Sequence, residues 1–225
     1  MSVRRLDPNQ PSDFEFTQEN LAWAREQIKK YPEGRHQAAV IPILWRAQEQ
    51  HDRWLPEPAI RYVADLLDMP HIRVYEIATF YTMFNLSPVG RYHVQLCGTT
   101  PCMLRGAEEL IKVCEREIGP QGHVTPEGVF SWVEVECLGA CVNAPMAQIN
   151  DDFYEDLTAE NFLALLEGLR RGRDVKPGPQ IKRQFSAPVS GPTTLNSEIQ
   201  NTAKAAAGAI SDAAGQPQGK TEKGD

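Results

Sequence analysis

The chain has little of three things: clustered basic residues, long apolar runs and cysteine. Its 225 residues carry a formal net charge of −7 and contain 5 cysteines. Because phosphate binding needs concentrated positive charge, the sequence argues against a surface that binds nucleic acid. No stretch approaches the ~20 consecutive apolar residues of a transmembrane helix, so no membrane-spanning segment is expected.

Targeting and nucleotide-binding motifs are also missing. The first residues, MSVRRLDPNQPSDF, have no apolar core of a secretory signal, and Arg4 and Arg5 are too few for an organelle presequence. No GxGxxG follows a predicted strand and no GK[ST] loop occurs, so any nucleotide is expected to bind elsewhere. In the reducing compartment that we expect, spaced cysteines are more often metal ligands or catalytic thiols than disulfides.

Four stretches before Gly90 place apolar residues at helical spacing. They begin near Thr17, Ala39 and Pro56 and after the DMP at 68–70, and the last is expected to run through Met83. The proline-marked junctions between them predict four short helices.

After Gly90 the periodicity changes to alternation. RYHVQLC and GVFSWVEVEC are predicted strands, the second ending at Cys137, and a single helix over 101–118 is predicted between them. APMAQIN and FYEDL are two further predicted strands, and a helix is expected from Thr158 to about Arg171. This order predicts a small α/β sandwich in which the first two strands run parallel.

The chain is thus predicted to have four parts. Residues 1–16 form an irregular lead-in, 17–89 a helical bundle segment, 90–172 an α/β domain, and 173–225 a C-terminal extension that is expected to be mobile. Within the extension only NTAKAAAGAISDAA suggests a weak helix.

Four of the five cysteines fall into two pairs at the ends of predicted strands. Cys97 ends one strand and Cys102 begins the next helix, where Thr99 or Thr100 could act as the cap. Cys137 and Cys141 flank a Leu-Gly-Ala loop. Because parallel strands end at the same edge of a sheet, all four sulfurs are expected to converge there.

Three kinds of site use converging thiols. A structural zinc site usually has two residues between paired cysteines, whereas these pairs have four and three. A dithiol enzyme requires a Cys-x-x-Cys motif and only two sulfurs. A [2Fe-2S] cluster uses four thiolates and is wider than one zinc ion, so the spacing favours iron and sulfide, with zinc as the alternative.

CGTTPCMLRGAEEL, VECLGACVNAPM and IATFYTMFNLSPVGRYHVQ resemble the thioredoxin-like [2Fe-2S] subunit family of respiratory complex I, NADH:ubiquinone oxidoreductase. The resemblance extends to about Lys182 and implies an N-terminal helical segment plus a thioredoxin-like [2Fe-2S] ferredoxin domain. It also implies that Cys97, Cys102, Cys137 and Cys141 bind one cluster. No catalytic side chain is expected in the chain itself.

The same resemblance implies partners and a location. The implied role is electron transfer within a proton-translocating oxidoreductase, beside a partner subunit that binds FMN and NADH and among other subunits of the peripheral arm. The implied location is the cytoplasmic face of a bacterial inner membrane or the mitochondrial matrix face. An equivalent subunit of an NAD-linked hydrogenase or formate dehydrogenase remains an alternative, as does a zinc-stabilised thioredoxin-like binding module.

Other chemically capable residues have simpler interpretations. Cys114 lies on an apolar helix face and is predicted to be a core residue, and the five histidines are expected to be structural or on the surface. Glu134 and Glu136 are expected on a solvated strand face, yet they and Asp151 or Asp152 would lower a cluster's potential if they lay near it. IATFYTMF indicates core, with part of it available to anchor a partner.

Overall fold

The computed structural model describes residues 4–187. Within this range the helices are α1 Gln18–Ile28, α2 Val40–Gln50, α3 Glu57–Leu66, α4 His71–Phe80, α5 Thr100–Leu104, α6 Ala107–Glu117 and α7 Ala159–Arg170. The strands are β1 Tyr92–Cys97, β2 Phe130–Val135, β3 Ala147–Ile149, β4 Asp152–Glu155 and β5 Gly178–Pro179. Two 3-10 turns lie at His36–Ala39 and Cys141–Asn143. Among the helices of residues 4–187, none is both long and apolar enough to cross a bilayer.

The first four helices form the predicted N-terminal helical segment. Thr17 caps α1, since its hydroxyl accepts a hydrogen bond from the Asn20 N–H at 3.2 Å, and Pro56 and Pro70 precede α3 and α4. The helices share one apolar core, whose fully buried side chains include Ile43, Leu44, Ile60 and Phe84. The prediction of four short helices is confirmed, although α4 ends at Phe80 and not at Met83.

The five strands form one sheet in the order β2-β1-β3-β4-β5. β1 and β2 run parallel, with Tyr92 opposite Phe130 and Cys97 opposite Val135. β3 is antiparallel to both β1 and β4. The expected parallel first pair and the hairpin that follows it are therefore confirmed, and the fold is α/β as predicted.

The two faces of the sheet have different neighbours. Val94 and Leu96 of β1 belong to a core that includes Leu110 of α6 and Phe162 and Leu166 of α7. Residues of the other face, among them His93, Gln95, Ser131 and Val133, line a cleft of about 690 Å³ together with residues 85–89 and the first arginines of the chain. The apolar alternation of β1 thus faces the helices, and its polar positions face the cleft.

Two further element boundaries, in the α/β part of the chain, differ from those predicted. The helix expected over 101–118 is two helices, because Gly106 between them has a left-handed φ of +104°. As a result Leu104, which would extend the apolar face of α6 in one continuous helix, is 82% exposed. β2 ends at Val135 and not at Cys137, because its partner β1 ends opposite Val135 and the last backbone bond runs from the Gly98 N–H to the Val135 carbonyl.

β5 was not predicted from the sequence. Gly178–Pro179 pairs in parallel with β4, and the residues after it fold back over the loop that follows Cys141. The predicted weak helix in NTAKAAAGAISDAA lies outside the described residues. The division of the chain into four parts stays a prediction.

Candidate metal centre

The first pair of cysteines lies where β1 meets α5. Cys97 is the last residue of β1, and Cys102 is the third residue of α5. Both are 1% exposed and pack in a small cluster with Ala107, Ala140 and Met146. The sheet edge and the helix start therefore hold this pair in a buried position.

Thr99 serves this pair in a way that the sequence did not predict. It occupies the cap position of α5, but neither it nor Thr100 caps the helix through its side chain. Instead the Thr99 hydroxyl lies 3.3 Å from the Cys97 sulfur. The expected cap is therefore wrong, and the hydroxyl is available as a hydrogen-bond donor to sulfur.

The second pair lies on the loop after β2. Gly139 adopts a φ of +83°, as its place between the two cysteines suggested, and its N–H donates to the Cys137 sulfur over 3.4 Å. The Cys137 and Cys141 sulfurs are 3.3 Å apart, and both residues are exposed. This pair forms the solvent-facing side of the site.

The pKa values of the thiols show that the two pairs influence each other. Burial, followed by the adjacent Cys97 thiol, raises the pKa of Cys102 to about 12, with Cys141 adding to the effect. The Gly139 N–H and then the Cys141 thiol lower the pKa of Cys137, and Thr99 and Cys97 act in the same direction. The pKa of Cys141 is raised in turn, first by its hydrogen bond to Cys137. All four thiols therefore share one electrostatic environment.

The arrangement fits the ligands of an iron–sulfur cluster. The two thiol pairs follow the parallel ends of β1 and β2, the Cys137 thiol interacts with Cys97 as well as with Cys141, and the donors aimed at sulfur include the Gly139 N–H and the Thr99 hydroxyl. Thiolates with nearby donors are the ligand set that such clusters use. The fit concerns the chemistry of the ligands and their place in the fold, because within residues 4–187 no three His, Cys, Asp or Glu side chains are set around a single point as ligands of one metal ion.

The remaining candidates differ in their distance from the thiols. Cys114 is completely buried, as predicted, and burial raises its pKa to about 12. Glu134 is exposed but its carboxylate reaches Gly98, whereas Asp151 pairs with Arg53 in the helical segment, at the other end of the sheet. Of these two acidic groups, only Glu134 thus lies beside the thiols.

Sequence reasoning also missed Asn143 and Glu155, which are 1% and 2% exposed. Their side chains are 2.6 Å apart and lie directly behind the Cys141 turn. There was a weak signal in the sequence for Asn143, which precedes the apolar APM, and none for Glu155, which lies in the acidic stretch DDFYEDL. Their partners come from residues 184–186, which no local pattern connects with the site.

Comparison with known proteins extends this picture. Residues 24–170 match the sequence profile described as thioredoxin-like [2Fe-2S] ferredoxin. The chain is 58% identical over 201 residues to an E-type NADH-quinone oxidoreductase subunit of Rhizobium meliloti, covering 87% of this chain and 73% of that protein. It is 47% identical over 194 residues to the mitochondrial NADH dehydrogenase [ubiquinone] flavoprotein 2 of Dictyostelium discoideum, covering 86% and 78%.

A solved structure shares the fold. An NAD+-reducing [NiFe]-hydrogenase in the air-oxidised state superposes with a TM-score of 0.50 at 23% identity, over 57% of this chain and 23% of that one. At this identity the likeness concerns the fold alone. From the profile match and the similar relatives, the chain belongs to the thioredoxin-like [2Fe-2S] ferredoxin family.

Proposed function

We propose that the chain is the E-type subunit of an NADH-quinone oxidoreductase and holds one [2Fe-2S] cluster on Cys97, Cys102, Cys137 and Cys141. The observation that carries the proposal is that both thiol pairs follow the common end of β1 and β2, where Cys137 interacts with Cys97 of the first pair as well as with Cys141. A [2Fe-2S] cluster, when bound, takes up and releases one electron at a time. The protein's own task is to hold it, tune its potential and place it near a partner.

The groups around the thiols act on that potential in opposite directions. The Gly139 N–H and the Thr99 hydroxyl stabilise negative charge on sulfur, so both favour the reduced state and raise the potential. The Glu134 carboxylate lies against Gly98, the residue after Cys97, and it lowers the potential through charge repulsion.

The partner in this proposal is the subunit that binds FMN and NADH, in the peripheral arm of the complex. The side of the site that faces solvent supports a protein contact, because Cys137 and Cys141 are exposed there. Two large apolar side chains next to the ligands are also exposed, Leu104 by 82% and Val142 by 64%. Phe80, in the IATFYTMF stretch, is 78% exposed and is a second anchor candidate. The location that follows is peripheral, on the cytoplasmic or matrix face of the membrane.

The alternatives have weaker support. A role in an NAD-linked hydrogenase is suggested only by solved structures at 22–23% identity, whereas the chain is 58% identical to an NADH-quinone oxidoreductase subunit. A zinc-stabilised module is disfavoured by the profile match to [2Fe-2S] ferredoxins.

The ligand assignment is tested by replacing cysteines one at a time in the full chain. We expect Cys102→Ala and Cys137→Ala to abolish the visible absorption and the paramagnetic signal of the reduced cluster. Cys114→Ala is the matched control, because that thiol is buried in the apolar core and should leave both signals intact. Iron and acid-labile sulfide should each be close to two per chain. One zinc without sulfide, or loss of the signal in the Cys114 variant alone, would contradict the proposal.

The partner is tested by purifying the chain from its own cells under mild conditions. Mass spectrometry should identify a flavin-binding and NADH-binding subunit together with quinone-reducing components. Hydrogenase or formate dehydrogenase subunits in their place would favour the alternative.

A further inference from the structure

The segment after β5 crosses the loop that carries Cys141. We call residues 180–186 the strap. It begins with a hydrogen bond of 2.9 Å from the Gln180 N–H to the Glu155 carbonyl. Farther along, Arg183 donates to the Asp156 carboxylate and to the Val142 carbonyl, both at 3.1 Å. One guanidinium thus links the end of β4 to the residue next to Cys141.

A buried carboxylate joins the strap to the same loop. Glu155 is 2% exposed, and one of its oxygens accepts hydrogen bonds from the Asn143 amide at 2.6 Å and from the Ser186 N–H at 3.0 Å. Its other oxygen accepts from the Ser186 hydroxyl. The Asn143 amide also donates to the Gln184 carbonyl at 2.8 Å. A buried charge with this many donors is satisfied and fixes the groups around it.

Local structure alone holds Cys141 weakly. It begins a 3-10 turn of three residues, is exposed, and accepts only a long backbone bond of 3.3 Å from the Ala144 N–H. The buried pair Cys97 and Cys102, by contrast, is fixed by a strand end and a helix start. The next two residues are fixed in two ways: the Asn143 carbonyl accepts a hydrogen bond of 2.8 Å from the Asp156 N–H, and the strap contacts the Val142 carbonyl and the Asn143 amide. The strap therefore supplies the side-chain contacts that fix the residues after Cys141.

We propose that the strap, through Arg183 and Ser186, is a positioning device for Cys141 at the metal centre. It holds Val142 and Asn143 in place, and with them the sulfur of Cys141 beside that of Cys137. The inference rests on the proposed function, because it takes Cys141 to be a ligand. It assigns a role at the metal centre to a segment that lies about forty residues after Cys141, the nearest cysteine in the sequence.

The test uses the full chain, purified with its cluster. Ser186→Ala removes the hydroxyl from Glu155, Ser186→Thr retains it, and Arg183→Ala removes both arginine contacts. Arg171→Ala is the matched control, since Arg171 contacts only Glu167 on the exposed face of α7. Three quantities are measured: the rate of iron loss to a chelator, the paramagnetic spectrum of the reduced cluster, and hydrogen exchange in the peptide containing Val142 and Asn143.

We expect Ser186→Ala to lose iron about ten-fold faster, the change that corresponds to one lost charge-assisted hydrogen bond, and Arg183→Ala, which loses two hydrogen bonds, to lose iron at least as fast. Their spectra should shift, and exchange around Asn143 should accelerate. Ser186→Thr and Arg171→Ala should match the parent chain in all three. A change of spectrum is decisive, because general destabilisation does not alter the surroundings of a cluster that is still bound.

The outcomes separate the two proposals. A parent chain without iron and sulfide would overturn the proposed function, and this inference with it. A parent chain with a normal cluster, and strap variants that retain iron and spectrum, would overturn the positioning role alone. Faster exchange with unchanged iron loss and spectrum would also overturn it, because the strap would then be merely structural.

Discussion

At the scale of single residues, Glu134 has an unusual place for an exposed carboxylate. It comes from β2, and its side chain extends over Gly98 and occupies the position that a β-carbon of residue 98 would take. Gly98 directly follows Cys97, so the carboxylate lies beside the proposed cluster. A fixed negative charge there disfavours addition of an electron.

Glu134→Gln should therefore raise the reduction potential of the cluster, by roughly a few tens of millivolts for an exposed charge at this range. The measurement is a redox titration of the full chain, followed by the paramagnetic signal. Asp152→Asn is the matched control, because it removes the same charge from the far end of the β3–β4 hairpin. Equal shifts in the two variants would mean that the effect is one of net charge and not of position.

How much of the site could be predicted differs from residue to residue. The four cysteines were recognisable from spacing and the parallel strands that it implied, and Cys114 from its apolar helix face. The turn of the Thr99 hydroxyl toward sulfur depends on a rotamer that competes with helix capping, and sequence does not decide between them. The burial of Asn143 depends on residues 184–186, a contact across about forty positions.

At the scale of elements, the helix after Cys102 shows what periodicity can and cannot predict. Apolar residues from Leu104 to Ile118 fit one continuous stripe, yet Gly106 breaks it and leaves Leu104 in solvent. A glycine inside a helical pattern is compatible with either outcome. Here the break keeps α5 short, so that Cys102 and Cys97 face one another while α6 packs on the sheet. β5 is only two residues long, which is too short for an alternating apolar pattern to be recognised in the sequence.

Gly90, just before β1, allows the closest backbone approach between the connection and β2. A β-carbon there would lie 2.6 Å from the Ser131 nitrogen and 2.7 Å from Cα of Phe130, and backbone has no room to yield. Gly90→Ala should lower the free energy of unfolding by about 1–3 kcal/mol, measured by urea denaturation. Gly168→Ala in α7 is the control: its new carbon meets only the Val175 side chain, at 3.0 Å, and it gains helix propensity. If Gly168→Ala lost more unfolding free energy than Gly90→Ala, the steric argument would be wrong.

At the scale of the whole molecule, the helical segment and the sheet have separate cores, and an ion pair links them. Arg53, after α2, binds the Asp151 carboxylate with both guanidinium nitrogens, at 3.1 and 2.7 Å. The hydrogen bond from Arg53 lowers the pKa of Asp151. Because Asp151 is 66% exposed, the pair contributes little to stability, about 0.2–1 kcal/mol. The pair also keeps the positive charge of Arg53 near His93 of β1, where that charge lowers the pKa of the imidazole.

The stability of the whole molecule depends on pH through His93, and the charge of Arg53 strengthens this dependence. Burial, and then the charge of Arg53, lower the pKa of His93 to about 4, and the ring hydrogen-bonds to the Ser131 hydroxyl at 2.8 Å. An unfolded imidazole takes up a proton below about pH 6.5, whereas the folded one stays neutral down to about pH 4. Between these values the unfolded state binds more protons, so stability falls as the pH drops through this window.

We therefore expect the chain to lose up to about 3 kcal/mol of unfolding free energy between pH 6.5 and pH 4 through His93 alone. His93→Gln should remove this part of the slope, and His123→Gln, on an exposed turn, should leave it unchanged. Urea denaturation of both variants across the pH range gives the difference between their free energies of unfolding. Contributions from other titrating groups cancel in that difference. Arg53→Ala should raise the pKa of His93 only slightly, because burial is the larger cause and remains. A pKa that returned to 6.5 in that variant would assign the effect to the ion pair instead.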